Sequence, residues 1–363
     1  MVFLFLAVLA VLILAHEAGH FFAARKNGIK VEEFGIGFPP RILKFKKGET
    51  TYSLNLFPFG GFVRIYGEDG SFSASPKSFA SKSALRRASV IIAGVIANFL
   101  LGWLIISFAF VVGSPNPADY HIPGARVKEN LGVVLVEVQK GSPAEKAGLK
   151  EGDILLSLYL PGKEGEVPAK TIKEVKNFIG GHRGEAIGIK YKRGESIFMT
   201  LAVPEVNPGP GRGALGIAMS RIEIISLPPH LALWEGLKTS VFIAREITIS
   251  IFHIIVSAFK GESVLNSILG PVGIVGLTGA AAKLGFNYLL NFIALLSINL
   301  AIINILPFPA LDGGRLLFLA IEKVKGSPVS ARTAVIVNFI GFAFLILLMA
   351  VITYRDILRL IGN

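Results

Sequence analysis

Residues 12–26 read LILAHEAGHFFAARK. The stretch before them, VFLFLAVLAV, suits lipid, yet two histidines and a glutamate follow just before the basic end of the segment. His16, Glu17 and His20 spell H-E-x-x-H. On a helix, positions four apart lie on one face, so both imidazoles can reach one metal ion. Glu17 flanks that face and can take a proton from an attacking water. Ionisable groups inside a spanning helix cost roughly 2.5–3.5 kcal/mol each on insertion scales and usually mark function. The alternative is a polar cluster that only packs helices together.

Composition sets the frame around this stretch. The chain has 363 residues, of which 52% are hydrophobic, and a mean hydropathy of +0.61. Such values point to a polytopic membrane protein rather than a soluble enzyme. There is no cysteine, which excludes disulfides and thiolate metal sites. A transition metal would need nitrogen and oxygen ligands, drawn from six histidines and the carboxylates. The net charge of +12 reads as basic loops held on the cytosolic face by anionic lipid, not as a nucleic-acid surface.

Four stretches are long and apolar enough to cross a bilayer: about 2–24, 88–112, 286–306 and 333–354. A fifth, 234–259, places Glu235, Lys238, Arg245, Glu246 and His253 on one stripe opposite Leu237, Val241 and Ile255. That pattern predicts an amphipathic helix in the interface. Residues 25–87 hold twelve Lys or Arg, so this loop belongs in the cytosol, as does 307–332 with Arg315, Lys323, Lys325 and Arg332. Four spans then leave both termini and 113–285 outside the membrane. The start of the chain does not resemble a cleaved signal peptide.

The outer segment is soluble in character. NLGVVLVEVQKGSPAEKAGLKEGDILLSL (130–158) reads as strand, Gly-Ser-Pro turn, short helix, Gly-Asp turn and strand. EAIGIKYKRGESIFMTLAV (185–203) reads as a hairpin turning at Arg193-Gly194. Together they resemble one PDZ domain over about 125–205, of the kind that takes a peptide as an added strand. The alternative is a small β-domain without a ligand. Residues 206–285 are expected to be a linker holding the amphipathic helix. In the cytosolic loop, TYSLNLFPFGGFVRIYG (51–67) alternates apolar and polar residues to Leu56, then turns at Pro58 and Gly60-Gly61. It reads as a short sheet within about 30–66 that dips into the membrane, a placement tolerated only where protein or a water-filled cavity covers the backbone. An ordinary interfacial hairpin is the alternative.

A zinc ion in a catalytic site takes three protein ligands and an open position. Helix rise puts His16 and His20 about 21–27 Å from the outer end of the first span, in the cytosolic half of the core. His121, His182 and His230 lie outside in this topology. The candidate at the right depth is Asp312, in NILPFPALDGGR (304–315). Pro307 and Pro309 stop the third span, and the broken chain can fold back with a carboxylate at the depth of the histidines. Alternatively, Asp312 only caps the helix that GGRLLFLAIEKV begins.

H-E-x-x-H in the first span, a PDZ insert and N-x-x-P-x-P-x-L-D-G before the last span resemble the site-2 protease family of intramembrane zinc metalloproteases. The resemblance covers nearly the whole chain. Some members carry two tandem PDZ domains, and this chain has room for one. The resemblance implies His16, His20 and Asp312 as Zn2+ ligands, Glu17 as catalytic base and Asn304 as a holder of substrate backbone. It also implies that the membrane-dipping element, with Tyr52, Leu54, Gly60 and Gly61, pairs with an unwound substrate. The expected substrates are the transmembrane segments of single-span proteins, such as anti-sigma factors or remnant signal peptides. Other expected partners are a peptide at the PDZ domain and the bilayer, with no nucleic acid. Two other functions fit the residues: a membrane metalloprotease acting on misfolded loops, and an inactive PDZ scaffold.

Overall fold

Helix α1 (Val2–Lys26) leads into two long irregular strands, β1 (Val31–Lys47) and β2 (Thr50–Ile65), and then α2 (Ala84–Val112). The computed structural model describes residues 1–68, 74–209, 213–262, 264, 268–327 and 329–361. A run of short elements follows: β3 (Ser114–Pro117), β4 (Arg126–Val138), α3 (Pro143–Lys146), β5 (Ile154–Tyr159), β6 (Glu166–Pro168), α4 (Ile172–Gly181), β7 (Ile187–Arg193), β8 (Ser196–Ala202) and β9 (Ile217–Ser226). The chain ends in helices α5 (Pro229–Phe259), α6 (Pro271–Leu284), α7 (Phe286–Ile305), α8 (Asp312–Lys325) and α9 (Ala331–Ile361). Two compact units result, one of residues 1–107, 233–281 and 289–363, the other of 108–232 and 282–288.

Among the described residues, five helices are long and apolar enough to span a membrane: α1, α2, α5, α7 and α9. The sequence led us to expect four. The extra one is α5, in which an 18-residue window carries at most two charged residues, so its charged stripe does not disqualify it by composition. Pro307 and Pro309 end α7 as expected, and α8 restarts at Asp312. Gly326 closes α8 in the left-handed conformation that a glycine adopts without strain.

β1 and β2 each bend and act as two strands. Residues 31–36 pair with 61–65 on one side, with Val31 opposite Ile65, and run in step with 51–54 on the other. Residues 41–47 then form a hairpin with 50–55. The order across this small sheet is therefore 61–65, 31–36, 51–55, 41–47, and its open edges are 61–65 and 41–47. Tyr52 and Leu54, expected to pair with substrate, instead lie in an interior stretch, because strands flank residues 51–54 on both sides. Polar residues point inward here. Glu33 is buried and accepts from Ser53 Oγ at 2.7 Å and from Arg41 Nη2 at 2.9 Å. Ile36, Leu43, Phe45 and Leu54 are exposed.

The second unit is built on a seven-stranded sheet of order β3-β9-β4-β5-β7-β8, with β6 beside β5. Its core is conventional: Val133, Leu135, Leu155, Leu158, Ile187 and Ile189 are buried, and Val175 and Ile179 of α4 pack with them. Thr171 and Glu174 form a reciprocal capping box that starts α4. The expected strands, short helix and turn at Gly194 are present. The sheet also extends beyond 125–205, because β9 joins β4 and β3 joins β9. Part of the stretch expected to be linker is thus a central strand; residues 210–212, 263 and 265–267 of that stretch lie outside the described residues.

Candidate metal centre

His16 and His20 sit one turn apart on α1, and both are buried. Their Nε2 atoms lie 3.1 Å apart, and each also faces Asp312 Oδ2, at 3.0 and 3.2 Å. Three donor atoms from two distant parts of the chain thus form a nearly equilateral triangle. Asp312 is the first residue of α8, one past the cap position, which Leu311 holds. Its side chain turns to the histidines instead, which removes the reading of Asp312 as a helix cap alone.

The chemistry of the triangle fits a cation. His20 Nδ1 donates to the Val90 carbonyl at 2.9 Å, which leaves Nε2 of the neutral ring with a lone pair. That lone pair points at a carboxylate oxygen that has no hydrogen-bond donor of its own among the described residues. Lone pairs about 3 Å apart repel unless a cation or protons sit between them. Bonds of about 2.0–2.1 Å at tetrahedral angles put zinc donors roughly 3.3 Å apart, close to the spacing found here.

Packing holds the triangle. A Cβ at Gly94 of α2 would come within 2.4 Å of His20 Nε2 and 2.8 Å of His16 Cε1, so only glycine lets α2 lie this close behind both rings. A Cβ at Gly313 would meet the Leu306 carbonyl oxygen at 2.0 Å, so the loop of residues 306–311 folds tightly onto the start of α8. Within that loop Ala310 takes a φ of 72°, a strained value for a residue with a side chain, and its N–H donates to Asn338 Oδ1 at 3.1 Å. Two ion pairs fix α8 further: Arg315 to Glu68 at 2.5 Å, and a two-pronged bond from Arg87 to Glu322 at 2.6 and 3.1 Å.

A cavity of about 360 Å³ opens on the triangle, lined among others by Glu17, Phe62, Val63, Asn304 and Leu311. The Glu17 carboxylate accepts from the Val63 N–H. Tyr66 N–H donates to Lys30 on the β1 side, and alternation along the strand then turns the polar groups of Gly61, Val63 and Ile65 to the open edge. The five expected residues His16, Glu17, His20, Asn304 and Asp312 therefore line one cleft. Gly61 adjoins it, since a Cβ there would lie 3.8 Å from Glu17 Cγ, and Gly60 packs on Ile13 and Phe38. Tyr52 and Leu54 do not join them. They line a separate apolar cleft with Phe21, Phe22 and Phe45.

The sequence reading overlooked Val90, Gly94 and Asn98, which recur every four residues and form one stripe of α2 behind the histidines. Asn98 was the available signal, as an amide in the middle of an apolar span.

Residues 4–348 match the model of peptidase family M50. The chain is 30% identical to the zinc metalloprotease RasP of Shouchella clausii, with 98% of each chain covered. It is 31% identical to RasP of Geobacillus kaustophilus, over 97% of this chain and 96% of the relative. It is also 30% identical to the regulator of sigma-E protease RseP of Escherichia coli, over 98% of both chains. That last alignment runs over 448 positions against the 363 residues present here, so the relative carries insertions.

Proposed function

The chain belongs to peptidase family M50, the site-2 type of zinc metalloprotease, and from this we propose that it cuts transmembrane segments of single-span proteins in a bacterial inner membrane. The observation that carries the proposal is the triangle of His16, His20 and Asp312, buried at one wall of a cleft whose other wall is an open strand edge. We assign these three residues as the zinc ligands and Glu17 as the base. Zinc, when bound, polarises the scissile carbonyl and lowers the pKa of water to about 7.

A substrate helix keeps its backbone groups in internal hydrogen bonds and must unwind before attack. The freed groups would be costly to leave unpaired in an apolar setting. Residues 61–65 can take them up as an added strand, with Asn304 holding the substrate from α7. Glu17 accepts the proton of the attacking water and returns it to the leaving amine. Its bond from the Val63 N–H aims the carboxylate at the cleft and ties the base to the strand that receives substrate.

We read the second unit as an extracytoplasmic PDZ domain, with both termini on the same side. β3 covers β9 only over Ile222–Ile225, so residues 217–220, beside α4, are the stretch that would pair with a peptide. α5 is read as lying in the interface rather than crossing, as its stripe of Glu235, Lys238 and Arg245 favours. Two relatives are named for regulating sigma-E and sigma-W, and anti-sigma factors are accordingly the substrates we assign.

Cleavage of a single-span substrate in liposomes by the wild type and by Glu17→Gln, with zinc content measured for both, tests the mechanism. We expect scission inside the span and a loss of about 10²–10⁴-fold in Glu17→Gln with zinc retained. Equal rates would overturn it, as would scission confined to loops outside the bilayer.

A further inference from the structure

Helix α2 backs both imidazoles, but by different means. His20 Nδ1 donates to a main-chain carbonyl, that of Val90. His16 Nδ1 instead lies 3.4 Å from the side-chain amide of Asn98. Asn98 is fully buried, and its Oδ1 has no hydrogen-bond partner among the described residues. Its main-chain carbonyl accepts from Ser297 Oγ at 2.7 Å, which pins this point of α2 to α7.

The ring of His16 has two nitrogens with opposite duties. Nε2 faces Asp312 Oδ2 at 3.0 Å and needs its lone pair free to bind a metal. The proton must then sit on Nδ1, where it requires an acceptor. The oxygen and nitrogen of a side-chain amide are assigned from the bonding network, and turning the amide by 180° exchanges them. With the amide turned, the orphaned Oδ1 stands where Nδ1–H needs it.

We propose that Asn98 is a positioning residue for the metal centre. Its Oδ1 accepts from His16 Nδ1–H, fixing the tautomer and ring plane of His16 as the Val90 carbonyl does for His20. The inference rests on reading His16 and His20 as ligands. Outer partners of this kind typically contribute 10- to 100-fold in metal affinity.

The test is zinc affinity of the full-length protein in detergent, measured by chelator competition, with the visible spectrum of the cobalt form as a second readout. Asn98→Leu keeps the size and removes the acceptor, and Asn98→Asp, measured at a pH where it is ionised, keeps the size and only accepts. We expect Asn98→Leu to bind zinc about 10- to 100-fold more weakly, with a changed cobalt spectrum, and Asn98→Asp to stay at or above wild-type affinity. Asn98→Ala, which only removes atoms, reads the same loss should Asn98→Leu fail to accumulate. Wild-type affinity in Asn98→Leu or Asn98→Ala overturns the proposal. Equal damage in Asn98→Asp also overturns it, because the amide would then be donating. His16→Ala separates the two layers: if it retains zinc, the ligand reading falls and this proposal with it, whereas loss there beside an indifferent Asn98 removes Asn98 alone.

Discussion

The two sheets of this protein follow the same alternation and put it to opposite use. In the second unit, apolar side chains point in: Leu135, Leu158 and Ile189 are buried in a core closed by α4. In the first unit, the small sheet buries Glu33, Thr50, Ser53 and Asn55 and exposes Ile36, Leu43, Phe45 and Leu54. Surrounded by water, the second pattern would be a liability, with exposed apolar strands ready to aggregate. Against lipid it is the favourable one. Alternation thus tells that two faces differ, and the surrounding solvent decides which face is inside.

The comparison can be broken most severely in the core. Leu158→Ala should cost the second unit about 2–5 kcal/mol, read as a lowered urea midpoint under pulse proteolysis. A change below 1 kcal/mol would mean that this sheet does not rest on its own core. A smaller effect, on function alone, is expected at the open edge. Val63→Pro deletes the outward N–H that donates to Glu17, at a place where an edge strand tolerates proline. Cleavage should fall roughly 10- to 100-fold, the equivalent of one buried hydrogen bond left unmade, while zinc content stays unchanged. Unaltered cleavage would remove the Val63 N–H from the aiming of Glu17. The gentlest probe uses the absence of native cysteine. Leu43→Cys and Val167→Cys, each carrying a polarity-sensitive dye, should differ in liposomes: blue-shifted and shielded from iodide at position 43, red-shifted and quenched at 167. Matching spectra at both positions would deny that the small sheet faces lipid.

Much of this was legible before any coordinates. The spacing of His16 and His20 required only helical periodicity, and the break at Pro307 and Pro309 announced that Asp312 could be turned inward. What escaped notice depended on partners far away in sequence. The bends in β1 and β2 fall at residues 37–40 and 58–61, where glycines and prolines mark them, but the strand order that places residues 51–54 in the interior is set by which segments then meet. β9 lacks a flanking hairpin and pairs with β4 across about ninety residues, which made it read as linker. The Val90 contact uses a main-chain carbonyl, and every residue has one, so no side chain announces it.

Because Asp312 is supplied by α8, the third corner of the triangle arrives late in synthesis. A ribosome adds about 5–20 residues each second, so roughly 15–60 s separate the emergence of His16 from that of Asp312. Through that interval the nascent chain holds His16, Glu17 and His20 without the third corner of the triangle. The triangle of a zinc metalloprotease built this way is therefore incomplete until α8 is made.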